Sequence, residues 1–199
     1  MPRISKDPEV RRAEIMDMAM ELFAEKGFDE TAVSDIVKRV GVAQGTFYYY
    51  FKTKQELMIA IMERSMEEQM EFIQSVADNK SLSSRNKLDA ILFDKPHHSA
   101  SYIKMLEFVH HESNAWIHQK LVINKTGRTL PYVVKILEQG NKEGSFHVQS
   151  LQETAEFLVT ALNFMMDPGF FQWTEEEKEE KIKKMKPLIG RLLGEGLRR

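Results

Sequence analysis

Apolar residues recur at three- and four-residue intervals along almost the whole chain, which is the spacing of amphipathic α-helices. No segment bounded by turn residues shows the alternating pattern of a half-buried strand. The sequence therefore predicts an all-α protein of about nine to ten helices. With 199 residues, of which 42% are hydrophobic, the chain is long enough to bury a core that needs no disulfide or bound metal to stabilise it. It has no cysteine, which excludes disulfides, thiolate metal sites and a cysteine nucleophile.

Glycines and hydroxyl side chains predict the ends of the first two helices. Gly27 ends a first helix from about Pro8 to Lys26, as a residue that tolerates a left-handed backbone. Behind Thr31, whose hydroxyl can cap a free helical N–H, apolar residues predict a short second helix that ends at Gly41.

A capping sequence predicts the start of a long fourth helix. Thr53-Lys54-Gln55-Glu56 has the T-x-x-E form of a capping box, and the helix behind it runs towards Ala77. Between Gly41 and Thr53 there is room for one short helix, about Ala43 to Tyr50. Further helices are predicted at about Asn86 to Phe93, Ser99 to His111, Asn114 to Asn124, Leu130 to Lys142, Leu151 to Met166 and Glu175 to Leu197.

Two short helices joined at a glycine, behind a longer one, are the layout of a helix-turn-helix head of three helices. We therefore expect a head at residues 1–53, joined by the long fourth helix to an all-α domain at residues 54–199.

The segment "GTFYYYF" from Gly45 to Phe51 divides into two faces if it is helical. Successive helical residues are separated by about 100°, so Phe47, Tyr50 and Phe51 fall on one arc and are expected to be buried. Tyr48 and Tyr49 then point outward, and Gly45 leaves the backbone bare one turn before Tyr49. These residues form a contact face, although exposed tyrosines are also common on ordinary surfaces.

Charge favours a nucleic-acid partner for this face. The net charge of −2 does not indicate a polyanion-binding protein, yet no Asp or Glu occurs between Asp35 and Glu56. Four basic residues do fall there: Lys38, Arg39, Lys52 and Lys54. Duplex DNA attracts such a basic region, and its major groove admits one helix. We expect the following side chains to meet that groove: Gln44, Thr46, Tyr48 and Tyr49. Lys54, in the first turn of the fourth helix, would lie beside a phosphate.

From about Ile15 to Leu57 the chain resembles the DNA-binding domain of the TetR family of one-component bacterial transcription regulators. The residues at the family's spacing are Ala19, Leu22, Phe23, Gly27, Thr31, Ile36, Gly41, Val42, Gly45, Thr46, Tyr48, Phe51, Lys54 and Leu57. The resemblance implies that the helix from Ala43 to Tyr50 enters the major groove and that Thr31 and Lys54 hold phosphates. Ala43 departs from the pattern, since the family often has a capping serine there.

The resemblance further implies an all-α domain that binds a small molecule and pairs two subunits. Two apolar stripes suit either a subunit interface or an internal core: Leu151, Ala155, Leu158, Leu162 and Met165 in one, and Ile182, Met185, Ile189, Leu192 and Leu193 in the other. Met58, Met62, Met66 and Met70 recur every fourth residue and either fill a core or line a ligand pocket. A group of histidines and glutamates between Glu107 and His118 lacks a complete metal-ligand pattern, so we expect no metal site.

The expected function is that of a homodimeric repressor that binds a two-fold symmetric DNA operator and is released by an unidentified small-molecule effector. No catalysis and no cofactor are required. The expected DNA-binding residues are Thr31, Gln44, Gly45, Thr46, Tyr48, Tyr49, Lys52 and Lys54. The alternatives are a small-molecule-binding or scaffold protein that has lost DNA binding, and a metal-dependent helical enzyme. No run of about 18 apolar residues and no signal peptide occurs, so we expect a cytoplasmic protein without a membrane partner.

Overall fold

The structure, a computed structural model, describes residues 7–93, 109–110 and 115–196. Every regular element in this part is an α-helix, which confirms the predicted all-α class. These helices are α1 Pro8–Lys26, α2 Val33–Val40, α3 Gln44–Tyr50, α4 Lys54–Asp78, α5 Ser84–Phe93, α6 Ala115–Glu143, α7 Leu151–Met165 and α8 Glu175–Leu192. Nearly all of the predicted helix from Ser99 to His111 lies outside the described residues, so the expected total of nine to ten stays a prediction. No helix in the described part is long and apolar enough to cross a membrane.

Helix α6 corrects the prediction of two helices, Asn114 to Asn124 and Leu130 to Lys142. It is one continuous helix with Pro131 inside it. A proline in a helix interior removes a hydrogen bond and costs about 3 kcal/mol. The apolar face of the helix is tightly packed just after this proline, with Val133, Ile136 and Leu137 fully buried. Burying each of these side chains stabilises the fold by about 1.5–3 kcal/mol, so packing outweighs the local break.

The described residues form two compact units. The first holds residues 7–67 together with 109–110 and 115–117, and the second holds 68–93 and 118–196. Helix α4 therefore contributes residues to both units. The predicted boundary between residues 53 and 54 separates a DNA-binding domain from a ligand-binding domain by function. The compact units do not test that division, so it stays a prediction.

Buried apolar side chains from α1, α2, α3 and α4, and from the residue that follows α3, form the core of the first unit. Those with no more than 1% exposure are Ile15, Ala19, Ile36, Phe47, Phe51, Leu57, Met58 and Ile61. Helix α2 packs against both α1 and α3. The position of α3 is thus fixed by side chains that are spread over the first sixty or so residues of the chain.

The core of the second unit contains most of the two apolar stripes on α7 and α8. Ala155, Leu158 and Leu162 pack in the same buried cluster as Met185, Ile189 and Leu193. The interpretation of these stripes as a subunit interface is therefore wrong for these six residues, and the alternative of an internal core is confirmed. Met165 and Leu192, which belong to the same predicted stripes, are instead exposed.

The methionine row on α4 also serves as core. Met58 and Met62 are buried in the first unit, and Met70 is buried in the second, while Met66 is half-buried. Their burial favours ordinary core filling over a pocket lining.

A close contact between Gly140 and Phe146 explains how the chain turns back after α6. The backbone N–H groups of Ser145 and Phe146 both donate to the carbonyl of Gly140, and Gly144 adopts a positive φ of 73°. A Cβ atom on Gly140 would lie only 1.9 Å from the Phe146 ring. Only glycine lets this buried ring pack against α6.

A buried lysine ties three helices of the second unit together. Lys87 on α5, 4% exposed, donates to the carbonyl of Ala77 in the last turn of α4 and to Gln139 Oε1 on α6. A cation at a helix C-terminus complements the partial negative charge of the free carbonyls there. Gln139 in turn donates to Glu143, whose carboxylate also accepts from Ser84.

Candidate nucleic-acid interface

Helix α3 has the two faces that the sequence predicts. Phe47 and Phe51 are buried, at 0% and 1% exposure, and their rings lie 5.9 Å apart. Tyr48 and Tyr49 are exposed to 52% and 77%. Tyr50 is only half-buried, and its ring stands edge-on to that of Tyr49 at 4.9 Å. The two phenylalanines therefore anchor α3, and the outward tyrosines are free to contact another molecule.

The first turn of α3 presents polar groups and bare backbone. Gln44 and Gly45 are exposed, and Thr46 is half-buried. The space around Gly45 is open, because a Cβ atom built there meets nothing within 4 Å. Ala43 precedes the helix and provides no side-chain cap. The N–H of Thr46 donates to the carbonyl of Ala43 at 2.9 Å, and the N–H groups of Gln44 and Gly45 precede it in the same turn. The exposed turn can thus donate from its backbone to an acceptor on a partner.

The turn before α3 depends on Gly41. This residue ends α2 with φ 75° and ψ 37°, a left-handed conformation that favours glycine. The N–H of Val42 then donates to the carbonyl of Val37 at 3.0 Å. These contacts fix the angle at which α3 leaves α2.

Ion pairs hold α2 against α1, and they neutralise part of the basic charge in this region. The guanidinium of Arg39 makes two hydrogen bonds to Glu25, at 2.8 and 3.1 Å, and this contact lowers the pKa of the Glu25 carboxyl. Lys26 forms a short ion pair with Asp35 and lowers the pKa of that carboxyl. Lys38 and Lys52 are exposed and form no ion pair within the described ranges.

Thr31 lies inside the first unit. Its side chain is fully buried, and its hydroxyl donates to the carbonyl of Gly27 at 2.6 Å. The prediction that this hydroxyl caps α2 is wrong. The carboxylate of Asp35 accepts from the N–H of Ala32 and satisfies the start of the helix instead.

Lys54 also points into the first unit. Its ammonium group donates to the carbonyls of Phe28, Asp29 and Thr31, at 2.5, 3.1 and 2.9 Å. The same nitrogen lies 4.3 Å from the centre of the Phe28 ring, in cation–π geometry. Burial lowers the pKa of this lysine, against the opposing charges of Asp29 and Glu30.

The predicted capping box at the start of α4 forms with one difference. The N–H of Glu56 donates to Thr53 Oγ1 at 3.0 Å, as expected. The Glu56 carboxylate accepts from the N–H of Lys52 at 2.7 Å. It therefore holds the residue that joins α3 to α4.

Six of the eight predicted DNA-binding residues thus lie in one segment, residues 44–52, and are exposed or half-buried: Gln44, Gly45, Thr46, Tyr48, Tyr49 and Lys52. The other two, Thr31 and Lys54, bind backbone carbonyls of the chain that links α1 to α2. Sequence spacing does not reveal these inward contacts, because each lysine contact joins residues that are 23 to 26 positions apart.

The histidine group of the second half can be followed only in part. Glu107, His111 and Glu112 lie outside the described residues. His118 Nε2 is 2.6 Å from Asp167 Oδ2, and the other oxygen of Asp167 accepts from the N–H of Gly169. This pair links α6 to the turn after α7, and the sequence contains no signal for it beyond the turn residues themselves.

Short helix α2, a tight glycine turn and helix α3 with one exposed face define a helix-turn-helix protein. The model of the bacterial regulatory proteins of the tetR family matches residues 15–61, and that of the tetracyclin repressor-like C-terminal domain matches residues 99–188. The chain belongs to the TetR family.

Individual relatives agree with this assignment. The transcriptional repressor KstR2 of Rhodococcus jostii is 31% identical over 142 residues, which is 68% of each chain. The uncharacterised regulator YvdT of Bacillus subtilis is 53% identical over 49 residues, and this match spans a quarter of that protein. A crystal structure of a transcriptional regulator from Cytophaga hutchinsonii has the same fold, with a TM-score of 0.73 over 94% of this chain and 98% of that one, at 21% identity.

Proposed function

We propose that this protein is a homodimeric transcriptional repressor that binds a two-fold symmetric DNA operator through α3 and is released by a small molecule. The observation that carries the proposal is the outward face of α3, where Tyr48, Tyr49 and Gln44 are exposed beside the bare backbone of Gly45. A glutamine can make a paired hydrogen bond to adenine, and tyrosine can contact a thymine methyl or a phosphate.

The charge around α3 supports DNA as the partner. No acidic residue occurs between Asp35 and Glu56, and Lys38 and Lys52 are exposed on either side of the helix in the sequence. Lysines that neutralise phosphates release counterions, which makes binding strong at low salt and weak at high salt. The remainder of the chain is acidic on balance, so the net negative charge of the protein lies outside this region.

A pair of subunits is part of the proposal because one short helix reads only a few base pairs, and dimers place two such helices about one turn of DNA apart. Large apolar side chains remain exposed on the two helices at the C-terminal end. Phe157 and Phe164 on α7 have exposures of 63% and 43%, and Leu188 and Leu192 on α8 have exposures of 54% and 47%. Exposed residues of this size are typical of a surface that a partner covers.

Release by a ligand requires two states of the dimer with different affinities for DNA. A small molecule that binds one state better shifts the population towards it. Helix α4 suits the link between the sensor and the head, because it runs unbroken from Lys54 to Asp78 and contributes to both compact units. No step of this mechanism needs catalysis, and a bacterial protein that acts on chromosomal DNA works in the cytoplasm.

The decisive experiment is selection of duplexes from a random DNA pool by the purified protein. We expect a recovered sequence with two-fold symmetry whose half-sites are about one helical turn apart. Recovery of no enriched sequence would favour a small-molecule-binding or scaffold protein that has lost DNA binding. The genes beside the matching chromosomal sites would indicate the class of the effector.

A further inference from the structure

We infer that Lys54 acts in DNA binding as a positioning residue, which fixes the loop between α1 and α2 to the first turn of α4, and not as a phosphate ligand. The inference rests on the proposed function and deepens it, because it assigns the residue's role within the DNA-binding head.

The ammonium group of Lys54 is fully occupied by hydrogen bonds within the protein. A lysine side chain has three N–H donors and no acceptor. In Lys54 these donors meet three backbone carbonyls, those of Phe28, Asp29 and Thr31, at distances between 2.5 and 3.1 Å. Each proton has an acceptor within the protein, so a phosphate would have to displace a bond that is already made.

An aromatic ring and two carboxylates surround the ammonium group of Lys54. The Phe28 ring covers one side of it at 4.3 Å, and that ring packs in turn on Phe23 at 5.1 Å. Burial lowers the pKa of Lys54, and the nearby carboxylates of Asp29 and Glu30 oppose that shift. A phosphate brought to this point would be repelled by both carboxylates.

The loop that Lys54 holds is the one that starts α2. Thr31 reinforces it, since its buried hydroxyl donates to the carbonyl of Gly27. Helix α2 begins two residues after Thr31 and packs against α3. Loss of the ammonium would therefore loosen α2 and, through it, the orientation of the exposed face of α3.

Acetylation of the wild-type protein tests the contacts without DNA and without a variant. Brief treatment with dilute acetic anhydride, followed by mass spectrometry of the peptides, compares Lys54 with Lys52, which is exposed and lies two positions away. A lowered pKa by itself favours the reactive free amine. We nevertheless expect Lys54 to react at least roughly tenfold more slowly, because its nitrogen can react only when the three carbonyl contacts open. Equal rates would overturn the inference.

The role in DNA binding is tested by Lys54→Met beside the control Lys52→Met, on the duplex selected by the wild-type protein. For Lys54→Met we expect the affinity to fall by roughly tenfold and the Tm by about 3–10 °C. The slope of log affinity against log salt should stay that of wild type. For Lys52→Met we expect an unchanged Tm and a slope that is smaller by about 0.9, as for one lost phosphate contact.

A Lys54→Met variant with the wild-type Tm and a slope reduced by about 0.9 would show a phosphate ligand and overturn the inference. Failure of the wild-type protein to select any DNA would instead overturn the proposed function. The acetylation rates and the Tm still report on the Lys54 contacts in that case, so the two failures are distinguishable.

Discussion

Arg39 and Glu25 face each other in a two-pronged ion pair between α2 and α1, with nitrogen to oxygen distances of 3.1 and 2.8 Å. Glu21, one turn earlier on α1, lies 3.8 Å from the same guanidinium. Two carboxylates therefore neutralise a residue that the sequence groups with the basic residues of the DNA face. The local positive charge is smaller than the count of lysines and arginines indicates.

Arg39→Gln is expected to leave the salt dependence of DNA binding unchanged, because the guanidinium already has its counterions within the protein. The pair is exposed, so its removal should change the Tm little. Titration of the selected duplex at several salt concentrations measures the slope. A slope reduced by about 0.9 would show that Arg39 leaves Glu25 to bind a phosphate.

Tyr49→Ala and Phe47→Ala should separate the two faces of α3. Tyr49 is 77% exposed, so its truncation should leave the Tm unchanged and weaken operator binding by roughly tenfold. Phe47 is fully buried, and its truncation should lower the free energy of unfolding by about 3–5 kcal/mol. Calorimetry and fluorescence anisotropy measure the two quantities. Normal operator affinity in a folded Tyr49→Ala protein would remove this tyrosine from the interface.

Gly45→Ala should stabilise the free protein and weaken its complex with DNA. Alanine stabilises a helix interior by about 0.5–1 kcal/mol relative to glycine, and the space at Gly45 is open in the free protein. A DNA backbone that approaches closely would meet the new methyl group.

Gly127→Ala is the matched control for this change. Gly127 is an exposed glycine inside α6, and a Cβ atom there also meets nothing within 4 Å. It should raise the Tm in the same way without any effect on DNA binding. If Gly45→Ala behaves like its control, DNA does not closely approach that turn.

Phe157→Ser should shift the protein from dimer to monomer in sedimentation experiments at micromolar concentration. Its side chain is 63% exposed on α7, so the change should leave the monomer folded, as judged by circular dichroism. Ile123→Ser is the control, since Ile123 is exposed to 64% on α6. An unchanged dimer in the Phe157 variant, or a dimer lost in the control, would move the interface elsewhere.

The Glu143 network should make the second unit sensitive to acid. Hydrogen bonds from Gln139 and then from Ser84 hold the pKa of this carboxyl below its ordinary value of 4.5. The folded state therefore binds the proton less readily than the unfolded state does. The stability from this group is present above about pH 4.5 and is lost as the pH falls through the lowered value.

Glu143→Gln should consequently flatten the fall in urea midpoint between about pH 5 and pH 3 relative to wild type. Glu138→Gln, at an exposed position of the same helix, is the control and should follow the wild-type curve. A Glu143→Gln curve as steep as that of wild type would show that other carboxylates carry the acid sensitivity.

Local signals in the sequence predict most of the head. Gly27, Gly41 and the Thr53 cap act on neighbouring residues, and the predicted bounds of α1 match while those of α3 and α4 differ by one residue each. The periodicity within "GTFYYYF" correctly predicts that Phe47 and Phe51 are buried and that Tyr48 and Tyr49 face outward. Tyr50, which it places on the buried arc, is only half-buried.

Contacts between distant parts of the chain could not be predicted in the same way. The break expected before Pro131 is overridden by the packing of α6, and an apolar stripe does not tell whether its partner belongs to the same chain or to another. The inward direction of Lys54 depends on a loop 23 to 26 residues earlier, so a pattern that is typical of a phosphate contact conceals it.

The separation of α3 into an anchoring face and an outward face has a consequence for divergence among related regulators. Because Phe47 and Phe51 are the fully buried side chains of this segment, substitutions at the exposed positions of α3 are expected to leave the folding of the head intact. If these positions read the operator as proposed, duplicated genes can acquire new operator preferences through single substitutions there while the head stays folded.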